Sequence, residues 1–231
     1  MPNHAEVYKN QAISYDDMIN RQPNLAEHIK EIRSYQGLHV LDLGAGSGRL
    51  SSFIAPEASS LVCTDISESM LKRLDEKLMH NSSNHNWSTV VADHRKLPIN
   101  DSSIDLAVSG WSISYLTNTD NLDWENNLEF IMSELKRVLK SSGTIIILET
   151  LGTGTETPDP PEFLKPYFSL LENKYGFSHR SIRADYQFAS TAEAKKNMEF
   201  FFGSDISKKI EEHQWSTVPE CAGIWWKHLG G

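Results

Sequence analysis

A short apolar run that leads directly into a glycine-rich turn sets the strongest limit on how this chain can fold. Residues 40–43 form a β-rich run, and Gly44, Gly46 and Gly48 follow before a predicted helix begins near Leu50. Glycine reaches positive φ values and lets backbone N–H groups come close to a ligand. A strand, a glycine turn and a helix in this order are typical of an α/β sheet that binds nucleotide-like ligands at the carboxyl end of the strand.

The spacing of the glycines separates two kinds of ligand. A dinucleotide-binding turn has the pattern G-x-G-x-x-G, and counted from Gly44 its third glycine falls where the chain has Arg49. The chain instead reads D-x-G-x-G-x-G, with Asp42 on the strand before the turn. A carboxylate there repels a pyrophosphate but suits a ligand with an ammonium and a sulfonium group, as in S-adenosylmethionine (SAM). We therefore predict SAM as the cofactor, and an NAD-dependent dehydrogenase remains the alternative enzyme.

Two later β-rich runs also end in a carboxylate. Residues 61–65 end at Asp65, where an acid can accept hydrogen bonds from a ribose diol, and residues 88–93 end at Asp93, placed to accept from an adenine amino group. The carboxyl ends of parallel strands meet at one edge of a sheet, near the switch in strand order. We therefore expect both carboxylates close to the glycine turn.

Apolar residues at helical spacing separate the predicted strands. They predict helices over residues 25–32, residues 66–78 with Ser67 as N-cap, and residues 124–138. Residues 104–109 are the fourth predicted strand, and the uninterrupted apolar run 144–148, which is typical of a strand buried on both faces of a parallel sheet, is the fifth. This alternation of strands and helices predicts a doubly wound, mostly parallel α/β sheet.

The composition changes in the last third of the chain. Residues 151–161 carry two glycines and three prolines, and Pro166 lies just beyond them, which predicts a surface loop over the site. Residues 178–190 and 218–227 are predicted strands on either side of a helix over residues 191–202. Trp225 and its neighbour Trp226 alternate across the last strand, so one ring is expected to face inward and the other outward.

Four motifs together resemble the class I SAM-dependent methyltransferases, and within them the small-molecule branch that includes the ubiquinone and menaquinone methylases. The motifs are VLDLGAGSGRL, VCTDISESML, VVADHRKLPINDSSIDLAVSGWSISYL and ELKRVLKSSGTIIILE, which cover roughly residues 35–149 in the order of the family. The resemblance implies a Rossmann-like fold with a seven-stranded sheet and an antiparallel C-terminal hairpin. It also implies one methyltransferase domain over residues 1–231, with N-terminal lid helices in 1–36, a SAM-binding core in 37–150, and an acceptor-side loop, helices and final strands in 151–231.

The same resemblance implies which residues contact the cofactor. The glycine turn is expected to line the methionine part, Asp65 the ribose, and Asp93 with Ala92 or His94 the adenine. Arg21 lies in a segment that resembles the lid of relatives, so it is expected to pair with the methionine carboxylate or to face solvent. The predicted cofactor contacts are Tyr15, Arg21, Asp42, Gly44, Ala45, Gly46, Gly48, Asp65, Ile66, Met70, Ala92, Asp93, His94 and Gly110.

Methyl transfer from a sulfonium is an in-line displacement, so the protein has mainly to align an acceptor and exclude water. His94 is a candidate general base or acceptor contact, because histidine titrates near neutral pH, or else it packs against adenine or faces solvent. Trp111 and Tyr115 are candidates to stack on the acceptor or hold the sulfonium, or else cap the core. Glu149, at the end of the fifth predicted strand, is expected to bind a cationic acceptor or take its proton, or else to cap a helix or form a hydrogen bond with a loop. Tyr8 is a further candidate for the acceptor site.

Charge and composition exclude several other functions. The formal net charge is −9 and no cluster of Lys and Arg stands out, which argues against a nucleic-acid substrate. The histidines are scattered and no C-x-x-C occurs, so no metal site is predicted. We also predict no signal peptide and no membrane span, because no apolar run is long enough. Two distant cysteines, Cys63 and Cys221, are expected as buried thiols in the cytoplasm.

The predicted function is that of a SAM-dependent methyltransferase. It moves a methyl group to O, N or C of a small organic acceptor. A SAM-binding regulatory or partner protein without turnover remains the alternative from another class. An open acceptor cavity beside residues 111–115 favours the enzyme, whereas a blocked one favours binding alone.

Overall fold

A seven-stranded sheet with helices packed on both faces forms the centre of the structure. The computed structural model describes residues 11–81 and 85–230. The strands are β1 (His39–Leu43), β2 (Ser60–Asp65), β3 (Trp87–Val91), β4 (Ile104–Gly110), β5 (Leu139–Thr153), β6 (Ser178–Arg183), β7 (Tyr186–Gln187), β8 (Thr217–Val218) and β9 (Glu220–His228). The helices are α1 (Ala12–Ile19), α2 (Ala26–Lys30), α3 (Ser51–Ile54), α4 (Glu68–Asn81), α5 (Ser114–Thr117), α6 (Trp124–Val138), α7 (Lys165–Asn173), α8 (Thr191–Phe202) and α9 (Ser204–His213), and a 3₁₀ turn covers Glu162–Leu164.

The strand order of the sheet is β3-β2-β1-β4-β5-β9-β6. The first five strands of the chain pair in parallel, and β9 runs antiparallel to both of its neighbours, β5 and β6. Strands β7 and β8 form a separate two-stranded sheet. The strand order changes direction between β1 and β4, so the carboxyl ends of these two strands form the switch point at which ligands bind. This topology confirms the predicted doubly wound sheet with an antiparallel C-terminal strand pair.

Buried apolar side chains cover both faces of the sheet. On one face, Ile131 and Leu135 of α6 pack with Tyr167 of α7, and on the other face Leu71 and Leu74 belong to α4. A third apolar cluster joins α1, α8 and α9 to the small sheet β7–β8. Burial of this kind stabilises a side chain by about 1.5–3 kcal/mol. The third cluster places α1 and α8 beside the carboxyl ends of the central strands.

The last strand, β9, has an indole on each face of the sheet. Trp225 is 1% exposed and belongs to the cluster around α6 and α7, whereas Trp226 packs against the cluster on the opposite face. The predicted alternation is therefore confirmed. The expectation that one ring faces outward is wrong, because β9 lies inside the sheet and both faces are covered.

Several predicted boundaries differ from those in the structure. Strand β5 continues to Thr153, where it pairs with Glu220, so the predicted loop begins later than residue 151. The predicted strand 178–190 divides into β6 and β7, and helices α7 and α9 lie in segments for which no helix was predicted. Ile66 was expected on the buried face of a helix, but it precedes α4 and is 71% exposed. None of the helices in the described ranges has the length and hydrophobicity needed to cross a membrane.

Some predictions fall on residues outside the described ranges. Tyr8 lies in the undescribed segment 1–10, as does the first part of the predicted lid. The interpretation of residues 1–231 as one domain, with its three parts, therefore stays a prediction.

Candidate active site

The glycine turn after β1 is held against the end of β2. The backbone N–H groups of Gly44 and Ala45 donate to the carbonyl oxygen of Thr64, at 2.8 and 2.9 Å. Gly44 has a φ of +76°, and a Cβ atom at this position would lie 1.8 Å from Oγ of Ser112. Both the backbone conformation and the close approach of the β4 terminus therefore require glycine here.

A cavity of about 440 Å³ lies beside this turn, at the carboxyl ends of β1 to β4; we call it the first cavity. It brings together eleven of the fourteen predicted cofactor contacts, while Arg21, Asp42 and Gly48 lie outside its lining. Its lining residues are Tyr15, Ile19, Gly44, Ala45, Gly46, Ser47, Arg49, Asp65, Ile66, Ser67, Met70, Ala92, Asp93, His94, Gly110, Trp111, Ser112, Tyr115 and Leu116.

Asp65 lines this cavity at the end of β2. Its Oδ2 accepts a hydrogen bond from the N–H of Gly46 at 2.9 Å, and its Oδ1 accepts from the N–H of Ser67 at 2.8 Å. An ionised carboxylate offers about four lone-pair sites, so two backbone bonds leave it able to accept from two hydroxyl groups. The residue therefore fits the diol of a nucleoside cofactor.

Asp93 also lines the first cavity, but Arg95 occupies both of its oxygens. The guanidinium donates from Nε to Oδ1 at 2.9 Å and from Nη2 to Oδ2 at 2.6 Å, and a further bond from Nη1 joins it to Asn127. These hydrogen bonds lower the pKa of Asp93 to about 2. A ligand amino group at this position would share the carboxylate with Arg95.

The three predicted cofactor contacts outside the cavity have other partners. Asp42 is 1% exposed and accepts a hydrogen bond at 2.5 Å from Oγ of Ser51, and its burial raises the pKa to about 7. Gly48 packs close to Leu74, since a Cβ atom added to this glycine would lie 3.1 Å from Cγ of Leu74. Arg21 forms an ion pair with Glu193 at 2.7 Å. Asp42 thus supports the turn from within the fold, and Arg21, two residues after the end of α1, joins this segment to α8.

His94 lies between the glycine turn and the end of β4. The ring is 8% exposed, and its Nε2 lies 2.8 Å from Oγ of Ser112. Burial lowers the pKa of the imidazole below its usual value, so His94 is neutral at pH 7. A neutral imidazole can accept a proton, which keeps the predicted role of a base chemically open to it.

Trp111 and Tyr115 follow β4 and line both the first cavity and a second, smaller one of about 260 Å³. Trp111 has a φ of +51°, and its N–H donates to the carbonyl of Leu148 at 2.7 Å. The guanidinium carbon of Arg49 lies 3.3 Å from the centre of the indole ring, a cation–π contact. The structure therefore places both aromatic candidates at the wall between the two cavities.

Glu149 lies at the second cavity rather than the first. It is 1% exposed, and its two oxygens accept from the N–H of Ser114 at 3.0 Å and from its hydroxyl at 2.9 Å. Burial raises the pKa of Glu149 to about 7. The carboxyl therefore caps the N-terminus of α5, which agrees with the helix-capping role that was one of the alternatives predicted for Glu149.

Sequence reasoning missed four residues that shape this site. They are Asp16, which holds α1 to the glycine turn, Arg49, Ser112 and Glu220. A lone acid after Pro219, at the start of the mainly apolar strand β9, was a visible signal for Glu220, but nothing in the spacing relates Ser112 to His94. Among the described residues, no group of three or more His, Cys, Asp or Glu side chains could hold a metal ion.

The part of the chain that forms this site matches a protein family. Residues 41–147 match the family model described as a methyltransferase domain. This stretch runs from β1 into β5 and includes the glycine turn, Asp65, Asp93 and His94.

Two relatives and one solved structure illustrate the similarity. The chain is 26% identical over 185 residues to the sterol 4-C-methyltransferase strm-1 of Caenorhabditis elegans, covering 77% of this chain and 52% of the relative. It is 32% identical over 182 residues to the ubiquinone/menaquinone biosynthesis C-methyltransferase UbiE of Pseudomonas paraeruginosa, covering 74% of this chain and 62% of the relative. A SAM-dependent methyltransferase of Aquifex aeolicus superposes with a TM-score of 0.55 at 19% identity, over 87% of each chain.

Residues 41–147, somewhat under half of the chain, therefore match the methyltransferase-domain family, and the structure has the Rossmann-like fold of a SAM-dependent methyltransferase. These matches confirm the predicted resemblance and SAM as the cofactor of the domain, and none of them is to an NAD-dependent dehydrogenase. The chain spans 52% of the first of these relatives and 62% of the second, so both are longer than the part they share with it.

Proposed function

We propose that this protein transfers the methyl group of SAM to a small organic acceptor. The observation that carries the proposal is a pair of adjoining cavities at the carboxyl ends of the parallel strands. Asp65 and the glycine turn line the first, and aromatic side chains with two buried carboxyl groups line the second. Trp111 and Tyr115 form part of the wall that the two cavities share.

In this proposal the first cavity takes the cofactor. The backbone of the glycine turn faces the methionine part, and Asp65 accepts from the ribose hydroxyls. The exposed side chain of Ile66 covers one face of the adenine, and Asp93 lies at its edge together with Arg95. Bound SAM supplies a methyl group on a sulfonium, which is already an activated leaving group.

The residues of the chain then align the acceptor and keep water out. Trp111 and Tyr115 border the space in which the acceptor meets the cofactor. His94 is our candidate proton acceptor, because burial keeps its imidazole neutral at pH 7. Glu149 fixes the start of α5, and thereby the position of Tyr115, which lies on that helix.

The second cavity supports turnover over binding alone. A SAM-binding protein without activity needs no space beside residues 111–115, whereas an enzyme needs one for its acceptor. The relatives above are named as a sterol methyltransferase and as a methyltransferase of ubiquinone/menaquinone biosynthesis, which supports a small organic acceptor here. The net charge of −9 also supports a small acceptor rather than a nucleic-acid substrate. Cys63 and Cys221 are both buried free thiols, which supports a reducing, cytoplasmic setting.

Calorimetry with SAM, S-adenosylhomocysteine and NAD tests the cofactor assignment. We expect the first two to bind and NAD not to bind. The substitution Asp65→Ala should weaken SAM binding by about tenfold or more, since it removes charge-assisted hydrogen bonds to the ribose. The control is Asp205→Ala, because the side chain of Asp205 is 94% exposed on α9, so its SAM affinity should match that of the wild type.

A transfer assay with SAM carrying a labelled methyl group then separates enzyme from binding protein. The labelled cofactor is incubated with the chain and a collection of small alcohols, phenols and amines, and labelled organic products are counted. Incorporation that depends on Asp65 supports the proposal. Tight SAM binding without incorporation into any class of acceptor would favour the regulatory alternative.

A further inference from the structure

Glu220, the first residue of β9, is a buried carboxyl group that the fold satisfies only in part. The residue is 2% exposed and lines the second cavity. Its Oε1 accepts a hydrogen bond from Oγ1 of Thr150 at 2.9 Å. Among the described residues, no donor forms a hydrogen bond with its Oε2, which is also shielded from solvent. An unsatisfied buried oxygen is costly and rare, so its presence requires a physical reason.

The other buried carboxyl group of the same cavity makes a useful comparison. Both oxygens of Glu149 are engaged by Ser114, so that carboxyl is fully used within the fold. Burial raises the pKa of Glu220 to about 7, while the hydroxyls of Thr153 and Thr150 and the charge of Arg49 act in the opposite direction. Of these two carboxyl groups, only Glu220 has an oxygen, Oε2, that lacks a hydrogen bond of good geometry among the described residues, although the Thr153 hydroxyl also acts on this carboxyl.

The rest of the second cavity is mainly apolar. Its lining includes Phe163, Leu164, Tyr186, Phe201 and Phe202. A ligand that fills this space must therefore present an aromatic or aliphatic surface over most of its area. A volume of about 260 Å³ lies just below the range of roughly 300–1,000 Å³ that is usual for larger ligands, so the bound group is compact.

We propose that Glu220 binds the hydrogen-bond-donating head group, an amine or a hydroxyl, of a small acceptor whose apolar body fills the rest of the second cavity. This inference rests on the proposed methyl transfer and names the acceptor class for it. The head group supplies the donor that Oε2 lacks. Satisfying this oxygen on binding makes an acceptor with a polar head bind more tightly than its apolar counterpart.

Three small compounds with one body and different head groups test the proposal. Phenethylamine, 2-phenylethanol and ethylbenzene each carry a phenyl ring and a two-carbon chain. They are titrated by ligand-observed NMR into the protein saturated with S-adenosylhomocysteine. We expect the amine, the alcohol or both to bind at least about tenfold more tightly than ethylbenzene. The compound that binds best identifies the head group, and equal affinities or no binding would overturn the proposal.

Two substitutions locate the preference at Glu220. Glu220→Gln keeps the shape and a neutral acceptor, so it should weaken the amine at least about tenfold and change the alcohol little. Glu220→Leu should abolish the difference between the three compounds. Glu212→Gln, an exposed carboxyl on α9, is the control and should bind like the wild type. If Glu220→Leu does not fold, the comparison of the wild type with Glu220→Gln tests the proposal. A preference that survives in all folded variants contradicts the proposal.

The experiment separates this inference from the proposed function. Binding of S-adenosylhomocysteine is measured first, in the same samples. If it binds and the compounds show no dependence on their head group, only the role of Glu220 is wrong. If it does not bind, the proposed methyl transfer is wrong, and titration of the three compounds into the protein alone still tests Glu220.

Discussion

At the scale of single residues, the absence of a side chain at Gly44 matters as much for the site as the side chains around it. The substitution Gly44→Ala should reduce the free energy of unfolding through both its φ of +76° and the contact of the new Cβ with Ser112. Gly37 offers a matched control, since its φ is +70° and an added Cβ would meet nothing within 4 Å. Gly37→Ala should cost about 1–2 kcal/mol for the backbone alone. Gly44→Ala should cost about 1–3 kcal/mol more, measured by urea unfolding.

A second change in the same region tests the cause of that extra cost. Ser112→Gly removes both atoms that the new Cβ would strike. The double substitution should therefore recover much of the difference between the two alanine variants. Equal costs for Gly37→Ala and Gly44→Ala would show that the approach of Ser112 does not matter.

The sequence predicted that three acids meet at one edge of the sheet, but not which of them faces a ligand. Asp65 lines the cavity with acceptor capacity to spare, while Asp42 lies beneath the turn against Ser51. Asp93 is at the cavity but is engaged by Arg95, two residues further on. These differences depend on neighbours that the fold supplies, and a pattern of acids and glycines contains no information about them.

At the scale of elements, one buried acid fixes α1 over the site. Asp16 is 2% exposed, accepts from Oγ of Ser47 at 3.0 Å, and forms an ion pair with Lys77 of α4. It thus joins α1 to the glycine turn and to α4. Because α1 carries Tyr15, which lines both cavities, this contact positions part of the binding site.

We expect Asp16→Asn to loosen α1 and to weaken SAM binding. The loss of charge removes about 1–3 kcal/mol of local stabilisation, which should speed the hydrogen exchange of residues 12–19. Asp17→Asn changes the exposed neighbour and should leave both exchange and affinity unchanged. Unaltered exchange of α1 in Asp16→Asn would show that the ion pair does not hold this helix in place.

Elements with strong apolar periodicity were predicted well, and those fixed by distant contacts were not. The helix over residues 124–138 and strand β4 agree with their predictions closely. The end of β5 could not be predicted, because its last residues become strand only by pairing with Glu220 at the start of β9. Helix α7 carries Pro166 in its first turn, where proline is tolerated, yet in the sequence this proline extends the predicted loop.

At the scale of the whole molecule, buried carboxyl groups make stability depend on pH. Burial raises the pKa of Asp42, Glu149 and Glu220 to about 7, well above their usual values near 4. The folded protein therefore holds more protons than the unfolded chain between about pH 4.5 and 7. These groups make their full contribution to the free energy of unfolding below about pH 4.5. This contribution falls as the pH rises from there to about 7. The buried imidazole of His94, with its lowered pKa, acts in the opposite direction.

The substitution Glu149→Gln isolates one of these groups. Glutamine can still accept from the N–H of Ser114 but does not titrate, so the variant lacks this part of the pH dependence. The stability of the wild type relative to the variant should fall by about 3 kcal/mol between pH 4.5 and 7, measured by denaturant unfolding at several pH values. Parallel curves for the two proteins would contradict a raised pKa at Glu149.

The wall between the two cavities joins their ligands in a single coupled equilibrium. It consists of Tyr15, Ile19, Arg49, Trp111 and Tyr115, each of which lines both spaces. If a ligand in one cavity changes the affinity of the other cavity for its ligand by some factor, the second ligand changes the affinity for the first by the same factor. An inhibitor built for the second cavity would therefore change in potency with the fraction of the protein that holds a ligand in the first, and its dose response would report that fraction.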